Sequence, residues 1–205
     1  MYTKQDFQAF RASLKTQLES TSGELLICDL YECKNAPGAV TIEYPNGNTE
    51  LHVAEACNVA AVVKSVDLIL SLPCSTVDCE DLSEVMLLRL DVLREYIRAL
   101  LPPSDYEETD AEELIRRWAG FLKHPRGFVL AHRCLGDWEG VEGALVLDRE
   151  AVTKFGQITN ITERDRAKDK YQNRPVKVVL PTVDEIEDFF SACRRHMELA
   201  IAQYG

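Results

Sequence analysis

What this chain does not contain narrows its chemistry. It has no Gly-x-Gly-x-x-Gly, no Walker loop, no His-Glu-x-x-His and no Gly-x-Ser-x-Gly. The loops and helices that announce dinucleotide binding, nucleotide hydrolysis, zinc proteolysis and serine hydrolysis therefore have no counterpart. Its most apolar stretch, residues 59–72, is interrupted by Lys64 and Asp67. Nothing approaches the roughly 20 consecutive apolar residues of a membrane span, and no membrane association is expected. Basic residues are in deficit: 23 Lys and Arg face 34 Asp and Glu, a formal charge of -11. Such a surface as a whole repels phosphate backbones and anionic lipid heads. Internal repeats and low-complexity segments are also missing.

Cysteine is the exception to this poverty, but its arrangement excludes more than it suggests. Seven cysteines are dispersed at 28, 33, 57, 74, 79, 134 and 193. The odd number, with no leader-like segment ahead of it, is unlike a secreted disulfide framework, so a reducing, cytoplasmic setting is expected. Cys28/Cys33 and Cys74/Cys79 are pairs with a spacing that zinc tolerates, but they flank apolar elements where free cysteine packs as a small hydrophobe. No metal and no cofactor is expected. Cys134 beside His132 is no activated nucleophile, because sequence neighbours seldom have that geometry.

With 46% hydrophobic residues in 205, the chain can bury a core, and one domain over residues 1–205 is expected. Phe7, Phe10, Leu14 and Leu18 recur at helical spacing and predict a first helix ending near Gly23. Residues 40–44 alternate like a half-exposed strand, followed by a Pro45-Asn-Gly-Asn turn signal. An unusually apolar helix follows over about 51–72, bounded by Pro73, and another over about 80–101, with Leu82, Val85, Met86, Leu93, Ile97 and Leu100 inward and Pro102-Pro103 as its stop. Thr109-Asp-Ala-Glu112 and Thr182-Val-Asp-Glu185 each have the form of a capping box. They predict helices running to about His124 before Pro125, and through Ile186, Phe189, Phe190, Cys193, Met197 and Ile201. The fold class is thus mainly α: a four- or five-helix bundle with a small β accessory, inserted near 25–55 and 140–180.

Basic and titratable side chains concentrate at 116–133: Arg116, Arg117, Lys123, His124, Arg126, His132 and Arg133. Arg117 and His124 are seven positions apart on a predicted helix. At about 100° per residue both leave from one face, which also carries Glu113 and Gly120. A histidine that titrates near neutrality can move a proton on or off a ribose oxygen, and an arginine can stabilise the phosphoryl group, with no metal. The alternative is structural: Arg117 pairs with Glu113 along the helix, and His124 caps its carboxyl end. Arg126 and His132 are accessory candidates with Glu113. The acidic run 105–113 reads as a solvated helix start rather than a metal site.

An arginine, a short spacer and a histidine at the end of a late bundle helix resembles the HEPN superfamily motif. The resemblance covers residues 117–124, and the polar residue that often follows the motif arginine is replaced by Trp118. It implies a helical, commonly dimeric domain whose paired motifs cleave RNA without metal in toxin or antiviral defence systems, held in check by a regulatory or effector protein. HEPN-like domains without activity serve as interaction subunits. Two functions are therefore expected in order: a metal-independent RNA endonuclease using Arg117 and His124, then a non-catalytic helical subunit that binds a protein partner.

Overall fold

The computed structural model describes residues 2–24, 39–43, 45–47, 49–123, 145–147, 149, 152 and 176–204, and is mainly helical. The first helix is built in three consecutive pieces: α1 (Lys4–Leu14), a π-helical turn (Lys15–Glu19) and α2 (Ser20–Glu24). A capping box at Thr3 and Asp6 opens it, with the Asp6 carboxylate accepting from the Thr3 amide at 2.7 Å. Phe7, Phe10, Leu14 and Leu18 form its buried stripe, as their spacing predicts. The π turn admits one more residue per turn without moving Leu18 off that stripe.

Strands β1 (Ala39–Glu43) and β2 (Thr49–Val53) pair antiparallel, Ala39 opposite Val53 and Glu43 opposite Thr49. Gly47 in their connection has φ 82°, a conformation that side-chain-bearing residues rarely adopt. The long helix α3 (Ala54–Ser71) follows directly. It turns at Pro73 into α4 (Thr76–Leu100), and these two form the most extensive pairing among the described residues. Helix α5 (Asp110–Leu122) packs on α4, and α6 (Val183–Tyr204) lies against α1, α4 and α5. Two short strands, β3 (Leu145–Leu147) and β4 (Val176–Val178), pair in parallel.

Helix α6 binds the bundle together. Ile186, Phe189, Phe190, Cys193, Met197 and Ala200 are all buried on it. At its start the Tyr2 hydroxyl donates to the Pro181 carbonyl at 2.7 Å, and the Tyr2 ring meets Phe10 edge-on with centroids 4.8 Å apart. The expected inward face of α4 needs one correction. Met86, Leu93, Ile97 and Leu100 are buried as expected and Leu82 packs against the core, but Val85 is exposed, and Leu87 and Leu90 are buried in addition. Asp67, one of the two charges that interrupt α3, faces α1, where Arg11 Nε meets it at 2.8 Å; Lys64, the other, is exposed. No described helix is long and apolar enough to cross a membrane.

Trp118 is fully buried and meets Phe121 edge-on. Trp118→Ala should lower the free energy of unfolding by about 3–5 kcal/mol in a urea titration. Val85→Ala should stay within about 0.5 kcal/mol. Equal losses from the two would contradict this assignment of inside and outside.

Candidate functional site

The start of α5 is where charge goes into the core. Thr109 is the amino-terminal cap, and its hydroxyl accepts from the Glu112 amide at 3.3 Å. The Glu112 carboxylate reaches back, taking the Thr109 amide at 2.8 Å and hydroxyl at 2.9 Å on Oε2. Its other oxygen accepts from the Tyr106 hydroxyl at 3.1 Å and lies 3.1 Å from His196 Nδ1, which α6 delivers from the opposite side. A carboxylate only accepts, so Nδ1 carries the hydrogen. Glu112 is 0% exposed and His196 2%. The Tyr106 and His196 rings lie against each other, centroids 4.8 Å apart. Burial works to raise the Glu112 carboxyl, but the donors from His196 and Thr109 outweigh it and hold the group below the usual carboxylate range. The same burial, with Glu112 nearby, pushes the Tyr106 phenol well up.

Beside this cluster runs a ladder of alternating charge. Lys123 pairs with Asp91. Asp91 Oδ1 accepts from Arg94 at 2.8 and 3.0 Å, and both residues are buried on α4. Arg94 also meets Glu95, and its Nη1 lies 3.3 Å from Glu108. Glu108 grips Arg116 in a two-point fork at 2.9 and 3.0 Å, and Arg116 lies 3.3 Å from Glu113. Glu113 closes the series on Arg117 Nη2 at 2.8 Å. The Arg117 hydrogen bond, reinforced by the charges of Arg117 and Arg116, holds Glu113 below the ordinary carboxylate range. Arg94 is buried at a cost in hydration that its bonds to Asp91 offset, so it stays charged.

Of the expected site residues, the structure joins Arg117 and Glu113 as an i,i+4 ion pair on α5. Their side chains are 22% and 41% exposed. His124, Arg126 and His132 lie outside the described residues, as do Cys28, Cys33 and Cys134. Helix α5 ends at Leu122, with Lys123 as its cap, slightly short of the expected boundary. The acidic run 105–113 needs correction, because Glu112 is buried rather than solvated. Among the described residues no group of three or more His, Cys, Asp and Glu is placed to hold a metal ion.

Sequence reasoning missed Asp91, Arg94 and His196, although two of them carry a readable signal. Arg94 is four positions after Leu90 and three before Ile97, and His196 is three after Cys193, so both fall on apolar stripes. A charged residue on such a stripe is buried with a partner or the helix faces elsewhere.

The depressed Glu112 carboxyl has a defined consequence for stability. Its contribution is complete above its unfolded pKa, about 4.3, and is lost as pH falls through the lower folded value. Thermal melts below about pH 4.3 should show the wild type losing stability more steeply than Glu112→Gln. Parallel pH profiles for the two would refute that role. At neutral pH, Arg94→Ala should cost about 3 kcal/mol or more, because it strands buried Asp91 with a single cation.

No protein-family model, no curated protein and no solved structure matches this chain.

Proposed function

We propose that this chain is a non-catalytic, HEPN-like helical interaction subunit that binds a protein partner in a toxin or antiviral defence system. The commitment of Arg117 carries this reading. Lys123, Arg94, Arg116 and Arg117 face Asp91, Glu95, Glu108 and Glu113, so the ladder neutralises itself and leaves little net positive charge for a phosphate chain. The overall acidity supports the same conclusion. The architecture that accompanies it is a four- or five-helix bundle with a small β accessory, a single domain that associates with itself and with its partner.

One observation favours the competing reading, metal-independent RNA cleavage by Arg117 and His124 with Glu113, Arg126 and His132 assisting. Arg117 stands at one end of the ladder, its side chain 22% exposed beside a Glu113 that is 41% exposed, and an i,i+4 ion pair at the surface contributes only about 0.3–0.5 kcal/mol. A phosphodiester could displace Glu113 at little cost.

Purified protein incubated with total RNA in excess chelator separates the two. Intact RNA is expected from the wild type, Arg117→Ala and His124→Ala alike. Cleavage by the wild type that either substitution abolishes would overturn the interaction-subunit reading and establish the nuclease. Light scattering across a concentration series should show self-association that Arg117→Ala leaves unchanged; a monomer at every concentration would remove that part of the proposal.

A further inference from the structure

Cys74 and Cys79 frame the corner at which α3 turns into α4. Pro73 ends the approach, and the Cys79 amide donates to the Ser75 carbonyl at 2.8 Å, closing the first turn of α4. The two cysteines are joined as a disulfide with their Cα atoms 5.2 Å apart. That separation lies within the range of about 4.4–6.8 Å that a bridge requires, so the backbone need not move for the bond to open or close. Their surroundings differ. Cys79 faces the core and is buried, whereas Cys74 is only half-buried on the connection. Cys74 Sγ also lies 3.6 Å from the Ser75 carbonyl oxygen, an acceptor available to the thiol form.

We propose that Cys74 and Cys79 are a reversible dithiol–disulfide pair that exchanges with low-molecular-weight disulfides of the glutathione type, with Cys74 as the entry sulfur. The balance is that of thiol–disulfide exchange. The Cys74 thiolate attacks one sulfur of the reagent, forming a mixed disulfide and expelling one thiolate. Cys79 gives its proton to solvent and attacks Cys74 Sγ, expelling the second thiolate. The two protons lost by Cys74 and Cys79 balance the two taken up by the leaving thiolates; the protein loses two electrons and two protons, and one reagent disulfide becomes two thiols.

Three observations direct the inference to exchange rather than to metal binding or structural stapling. Two sulfurs alone cannot complete a zinc site, and no third ligand is placed beside them among the described residues. The loop closed is short, so the bond constrains the unfolded chain far less than a long-range bridge would. The unequal burial supplies one accessible sulfur and one protected resolving sulfur. The position gives the bond leverage, because it sits at the corner of the most extensive helix pair among the described residues.

The full-length protein, reduced and desalted, is equilibrated in buffers of graded glutathione and glutathione disulfide, quenched in acid, alkylated and mapped by mass spectrometry. Cys74 and Cys79 should lose alkylation together, in one transition that follows the square of thiol over disulfide. Buried Cys193 should stay unmodified throughout. Cys79→Ser should trap Cys74 as a mixed disulfide with glutathione, and Cys74→Ser should slow modification of Cys79 at least tenfold. Independent titration of the two, full alkylation of Cys74 across the series, or a bond that opens only in denaturant would overturn the proposal. If either variant unfolds, the wild-type titration decides alone.

Discussion

Burying Glu112 and Arg94 in the same helical core is the constraint to which the upper part of this molecule conforms. A carboxylate without exposure and a guanidinium with almost none are each costly unless their hydrogen bonds are complete. Completing them fixes the geometry of several segments at once. Thr109 and Tyr106 place the segment before α5, His196 sets the rotation of α6, and Asp91 sets that of α4. A helix that rolled or slid by one residue would leave a buried charge without a partner. Apolar packing alone tolerates such shifts more readily, so the polar cluster defines the register in which the apolar faces meet.

The ladder from Lys123 to Arg117 has a different energetic character along its length. In its middle, between Asp91 and Arg94, it is buried; at its two ends, Lys123 and the Glu113–Arg117 pair, it is partly exposed and screened. Breaking the buried pair would strand a charge in the core, whereas the partly exposed outer pair contributes little to the fold. This gradient is why the same arginine supports both a structural and a functional reading, and why the two readings separate only on what Arg117 does when a phosphate is offered.

Much of the helical framework is legible in the sequence because it is written in local chemistry. The stripe from Phe7 to Leu18 and the boxes at Thr109 and Thr182 are patterns that need no knowledge of distant residues, and the structure reproduces their burial and hydrogen bonds. Val85 misleads because it lies at the border of an apolar face, where a rotation of part of a turn decides exposure. The π turn at Lys15–Glu19 has no marker that composition reveals. The site is less legible. Arg117 with Glu113 follows from helical spacing, but the meeting of Glu112 with His196 joins positions 84 residues apart, and only the packing of α6 on α5 brings it about.

The hydrogen bond from Tyr2 to Pro181 spans 179 positions, and the Tyr2 ring closes over Phe10 beside it. The start of α1 is therefore tied to the segment that opens α6, and α6 lies along α1. Closing so long a chain loop is slow compared with forming local helix, so α1 can form before its contact with α6 is made.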